Sequence, residues 1–205
     1  MPVTALTAPL PLPATAQSLD ALRAPLDQAD SGALRGWLGA LNRRELAALF
    51  DLAAEGAPMR PDELLRPDGG VTIATGRNQL PVFSRFEKRF ARVGDEIVGY
   101  NHTPWLVRLL AGAGHFVVRP ADDASGELWI DYTLMPSGQH REFPALSEQH
   151  RPLFPFIYGD MIDKVRRVSA QVLIGHSFKP SGRGGLNDDA YFALLLPDEA
   201  RRLLV

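Results

Sequence analysis

The sequence predicts an α+β protein: a helical N-terminal section of about three short helices, followed by an antiparallel β-meander that curls into a half or full barrel. Two observations carry this. Apolar residues between positions 18 and 55 recur three and four apart, as on one face of a helix. From about residue 80 onward they alternate, or come in short β-branched and aromatic runs between Gly, Pro, Asp and Ser, with a single helical stretch expected among them, around Tyr158 to Lys164.

Taken in order, residues 1–16 are Pro-rich and read as a disordered tail. A signal peptide is the weaker alternative, because no Lys or Arg precedes Arg23. Leu19, Leu22 and Leu26 mark a first helix with Ser18 placed to cap it. Leu34, Trp37, Leu38 and Leu41 mark a second, with Ser31 as its cap, and Leu46, Leu49, Phe50 and Ala53 mark a third, ending at Gly56. Pro58, Pro61, Pro67 and Gly69-Gly70 then close the helical section (17–66) and open the β-rich body (70–205), the two forming one domain.

Within the body, Glu127 to Leu134 alternates cleanly, with Leu128, Ile130, Tyr132 and Leu134 on one side. Val165 to Lys179 reads as one long strand bent at Gly175, with Val168, Val172 and Ile174 inward. Glu96 to His102, Trp105 to Leu110, His115 to Arg119 and Tyr191 to Leu196 are further strands. Val82 to Val93 fits helix or strand, and strand is preferred.

Composition narrows the function classes. The 205 residues hold 22 Lys+Arg against 24 Asp+Glu, a net charge of −2, which lacks the basic field that nucleic acid requires. The absence of Cys excludes disulfides and thiolate chemistry and fits a cytoplasmic, bacterial-style protein. No apolar run is long enough for a membrane span. The nucleophile-elbow, phosphate-loop, zinc-protease and dinucleotide motifs are missing, and no cofactor is expected. Ser181-Gly182-Arg183-Gly184-Gly185 reads as a loop between strands. His102, His115, His140, His150 and His176 have no metal-ligand spacing, so no metal is expected. Asp160 and Asp163, three apart in an expected helical turn, have the spacing of metal carboxylates or an acid/base pair, but the commoner use is preferred: Asp160 as a cap and Asp163 as partner to Lys164, Arg166 or Arg167.

The sharper signal is polar residues on apolar strand faces. Strand parity puts Lys88 between Phe86 and Phe90, groups Glu96 and His102 with Val98 and Tyr100, and places Arg166 and His176 at the two ends of one inward face. Cations among aromatics suit a ligand with an acidic head and an apolar body. The expected partner is a small hydrophobic acid, bound by Lys88, His102, Arg166 and His176 with Tyr100, Trp129 and Tyr132 nearby. The plain alternative is that these groups sit at strand ends and reach water. Two other functions stay open: an isomerase, cyclase or hydratase using His102 and Asp131 as acid and base, and an interaction module docking through the N-terminal helices. A monomer and a homodimer joined through an edge strand are both compatible with the sequence.

Overall fold

In the computed structural model, which describes residues 9–79, 84–123, 125–146, 152–182, 184–185 and 188–198, three helices form where the apolar spacing predicts them. In α1 (Leu19–Gln28) the Ser18 hydroxyl accepts from the Ala21 amide at 3.3 Å, and Leu19, Leu22 and Leu26 are buried. The cap of α2 (Ser31–Ala40) is Asp30 rather than Ser31. Its carboxylate accepts from the Ala33 amide at 2.8 Å, while the Ser31 hydroxyl donates to Asp198 at 2.9 Å. Asn42 caps α3 (Arg43–Leu52). Of the expected tail, residues 1–8 lie outside the described residues. The rest packs on the helices, with the Trp37 indole donating to the Pro11 carbonyl at 2.8 Å and the Ala14 amide to Glu45 at 2.7 Å.

Eight strands follow: β1 (Thr72–Asn78), β2 (Arg85–Val93), β3 (Glu96–His102), β4 (His115–Pro120), β5 (Leu128–Asp131), β6 (Ile162–Arg167), β7 (Val172–Phe178) and β8 (Ala190–Leu195). Each pairs antiparallel with the next, and β8 pairs with β1, so the barrel is closed. Closure leaves no free strand edge, which removes the edge-strand route to a dimer. Among the described residues no helix is long and apolar enough to cross a membrane.

Three local expectations change. Trp105–Ala111 is a helix, α4, lying between β3 and β4. The expected long strand is the hairpin of β6 and β7, turned at 168–171 without Gly or Pro. Side chains hold the turn: within it the Val172 amide donates to the Ser169 hydroxyl at 3.2 Å, and from α1 Asp27 accepts from the Ala170 amide at 2.8 Å. The helical turn expected near 158–164 lies earlier, as α5 (Phe154–Ile157), and Asp163 is on β6.

The barrel is apolar on both faces where the helices cover it. Inside lie Phe90, Ile97, Phe116, Leu128, Ile130, Val165, Leu173 and Leu194. On the outer face of β6–β8, Val168, Val172, Ile174, Ala193 and Leu195 pack with Leu22, Leu34, Leu46 and Leu49 of the helices. Val172 and Ile174 therefore point out to the helices, while Leu173, Gly175 and Ser177 point in, the reverse of the expected parity. The same reversal holds on β3. Val98 and Tyr100 pack outside with Val117 and Phe143, and Ile97, Gly99 and Asn101 face the interior.

Three interior glycines each sit directly opposite a phenylalanine in the ladder: Gly76 and Phe86, Gly99 and Phe116, Gly175 and Phe192. In each pair the ring lies over the glycine so closely that an added Cβ would overlap it. The missing side chains let three rings lie flat across an eight-stranded barrel, whose interior is otherwise just wide enough for one layer of side chains. Gly175→Ala is expected to cost about 3 kcal/mol in urea unfolding, because the Phe192 ring must leave its position. Gly36→Ala, on the exposed face of α2 with open space around it, should stabilise by up to about 1 kcal/mol.

His115, on the outer face beneath residues 143–145, packs its ring 5.9 Å from Tyr100, and burial lowers its pKa to about 4. The folded protein thus holds it neutral while the unfolded chain protonates it near its ordinary value of 6.5. Its contribution is present in full above pH 6.5 and is lost as pH falls toward 4. Unfolding free energy measured across that window should fall more steeply in the natural protein than in His115→Gln.

Candidate functional site

The upper half of the barrel is open, and the lower half is filled. A cavity of about 270 Å³ lies beneath α4 and α5, walled by Phe86, Leu106, Val107, Leu110, Leu153, Ile157 and Phe192. The two helices meet over it, with the Leu153 amide donating to the Leu110 carbonyl at 3.0 Å. Lys179 secures α5 from below by donating to the Phe156 carbonyl at 2.9 Å, which satisfies a helix-end acceptor. On the outer side of this mouth Trp105, Leu106, Leu109 and Phe156 are exposed, Trp105 to 75%.

The floor of the cavity is polar. Lys88 comes from β2, Asn101 from β3, Asp163 from β6 and Ser177 from β7, and Tyr132 follows β5. Lys88 and Asp163 are 2% and 1% exposed, and the ammonium stands 2.9 Å from Asp163 Oδ2. Every hydrogen of the ammonium has an acceptor: Asp163 Oδ2, Asn101 Oδ1 at 2.9 Å, and the Tyr132 hydroxyl. Tyr132 in turn donates to Asp163 Oδ2 at 3.2 Å and accepts from Asn101 Nδ2 at 2.9 Å, and the Ser177 hydroxyl donates to Asp163 Oδ1 at 2.5 Å. An isolated ion at this depth would cost several kcal/mol; pairing and complete hydrogen bonding make it tenable.

The glycine pairs bear directly on this floor. Phe86, Phe116 and Phe192, the three rings laid over glycines, stand 5.6, 5.2 and 5.1 Å from the Lys88 ammonium, with Tyr132 at 5.1 Å. Their faces supply the cation with electron density that water would otherwise provide. Burial still pushes the Lys88 pKa down from its ordinary value, against the upward pull of Asp163. Burial and the Asp163 charge hold Tyr132 well above its ordinary value, so it stays a neutral phenol. Tyr158, stacked on Tyr132 at 5.4 Å, is raised for the same reasons. Thr103, at the wall, has a buried hydroxyl with no partner among the described residues.

Of the residues singled out in the sequence, Lys88 and Tyr132 meet at this floor. Tyr100, His102, Trp129, Arg166 and His176 do not line the cavity. Tyr100 is buried under Phe143 on the outer face, with exposed His102 beside it at the end of β3. Trp129 lies under the Arg119 guanidinium and against Phe178. Arg166 bridges barrel and helices: it donates to Glu127 at 2.6 Å and to the Phe50 carbonyl at 2.7 Å, and stacks on the Phe50 ring at 3.9 Å. His176 stacks on Tyr191 and pairs with Asp189. Asp131 is saturated by Arg119 and Thr133 on the outer face, and no hydrogen bond joins it to His102.

Asn101, Asp163 and Ser177 were missed. The β3 and β7 parities were reversed, and Asp163 was expected in a helix. The available signal was a carboxylate with the apolar Met161 and Val165 on either side of it at strand spacing. Comparison of the chain with known protein families, curated proteins and solved structures gives no match, so the function rests on the geometry and chemistry of this site.

Lys88→Met alone leaves Asp163 buried and uncompensated and should cost about 4 kcal/mol, whereas Lys88→Met with Asp163→Leu should recover most of that loss. A double-mutant cycle by denaturant unfolding measures the coupling. Arg166→Ala should cost about 2 kcal/mol through the stranded Glu127 carboxylate, with no change in the cavity.

Proposed function

We propose that the protein binds a small amphipathic molecule inside the barrel, its apolar body under α4 and α5 and its polar head at the Lys88–Asp163 floor. The observation that carries this reading is the cavity itself: apolar walls converge on a few fixed polar groups, the arrangement by which proteins hold and orient small ligands. Exposed apolar side chains on the helices that wall the cavity support entry at this mouth.

The charge of the floor bears on the head group. Lys88 is already neutralised by Asp163, so an incoming carboxylate would stand beside a second buried anion. That favours a neutral head, such as an alcohol or a carbonyl, over the hydrophobic acid that an unpaired cation would attract. The Asn101 amide, the Ser177 hydroxyl and the Thr103 hydroxyl are the polar groups beside it. Little supports docking through the N-terminal helices, whose apolar stripes are covered by the barrel.

Binding is tested by displacement of a neutral apolar dye. Octanol should displace the dye at lower concentration than octanoate, and Val107→Trp, which fills the cavity from α4, should weaken both. Failure of the dye and of both ligands to bind, or binding unchanged in Val107→Trp, would overturn the cavity as the site; octanoate binding more tightly than octanol would overturn the neutral head.

A further inference from the structure

We infer that Lys88 forms a reversible imine with a small apolar aldehyde held in the barrel cavity, with Asp163 as the counter-ion of the resulting iminium. This inference rests on the binding reading above and deepens it by naming the reactive group of the ligand. It is carried by three observations.

The first is position. Lys88 is an amine on the floor of a cavity whose walls are apolar, so an aldehyde seated with its chain under α4 and α5 presents its carbonyl to the polar floor. The second is the set of partners. Imine formation needs a base to take a proton from the ammonium, a donor for the carbonyl oxygen and an anion beside the product cation. Asp163 Oδ2 stands 2.9 Å from the amine, and the Tyr132 phenol contacts both the amine and that same carboxylate oxygen. Burial, which favours the neutral amine, works in the same direction.

The third is the choice of cation. Of the 22 Lys and Arg in the chain, only Lys88, Lys164 and Lys179 are lysine. A chain that uses arginine for almost all of its cations, including the barrel-to-helix bridge at Arg166, places at the cavity floor the one basic side chain able to lose a proton and act as a nucleophile. Arginine is the usual cation of a buried ion pair, but it cannot serve an amine addition.

The step balances without an oxidant or reductant. The Lys88 ammonium passes a proton to Asp163, and the free amine adds to the carbonyl carbon while Tyr132 protonates the oxygen and regains its proton from Asp163. The carbinolamine, still protonated on nitrogen, passes that proton by way of Asp163 and Tyr132 to its own hydroxyl, which leaves as water. The sum is one aldehyde and one ammonium giving one iminium, paired with the Asp163 carboxylate, and one water. The four rings that surround the ammonium remain around the iminium.

The test is reductive trapping. The full chain is incubated with octanal and sodium cyanoborohydride, and the intact mass is followed by peptide mapping at Lys88, Lys164, Lys179 and the N-terminal amine. The expected result is a mass shift of one octyl group located on Lys88, suppressed by excess octanol and lost in Lys88→Arg. Circular dichroism checks that this variant is folded, and the mapping on the natural chain stands without it. Label confined to Lys164, Lys179 and the N-terminus while octanol still displaces the dye would overturn the imine and leave the binding reading intact. The same distribution with no binding of octanol or dye would overturn both.

Discussion

The buried pair of Lys88 and Asp163 is the constraint around which the barrel interior is arranged. A cation and an anion at this depth are stable only if each lone pair and hydrogen is used, and five further strands or their extensions supply what the pair lacks: Asn101, Tyr132, Ser177 and the rings of Phe116 and Phe192. Below this layer the barrel is filled by Phe90, Leu128, Ile130 and Val165 in the manner of an ordinary core. Above it lies the cavity, walled by Phe86, Phe192 and the apolar side chains of α4 and α5. The polar layer therefore divides a part of the barrel that specifies the fold from a part that can take a ligand.

The glycines opposite Phe86, Phe116 and Phe192 serve the same arrangement from the backbone side. Each gives up a side chain so that a ring can lie across the ladder toward the barrel axis, and all three rings end near the Lys88 ammonium. Stability and site are thus coupled. A substitution that lifts one of these rings disturbs the environment that makes the buried cation tolerable. The helices have the opposite role: α1 to α3 cover the outer face of β7 and β8, away from the cavity, and Arg166 fastens them there through Glu127 and Phe50.

How far the fold is legible in the sequence depends on how one-sided each element is. The three N-terminal helices and β5 carry apolar residues on one face and were readable directly. Strands β3 and β7 are apolar on both, since one face meets the barrel interior and the other meets Phe143 or the helices. Alternation there cannot say which way is in. That ambiguity put His102, Arg166 and His176 inside and left Asn101 and Ser177 out. Lys88 was legible because Phe86 and Phe90 flank it at strand spacing. Asp163 was not, because the β6–β7 turn is made by Ser169 and Asp27 rather than by Gly or Pro, so that the hairpin looked like one strand with a helix before it. Helix α4 looked like a strand because Trp105 to Leu110 is apolar at every position but Arg108, a pattern suited to a helix with one side on the cavity and the other exposed.

The buried state of Lys88 and its contact with a ligand are read together by nuclear magnetic resonance of the lysine side chains, labelled at Cε and Nζ, with and without octanol. Three lysines give three signals. One of them, assigned to Lys88 by its loss in Lys88→Arg, is expected to be shifted by the surrounding rings, to titrate below the ordinary lysine value and to move when octanol binds, while the signals of Lys164 and Lys179 do not respond to the ligand. A Lys88 signal that titrates like a solvent lysine, or that is unmoved by a bound ligand, would contradict a buried Lys88 in contact with the ligand.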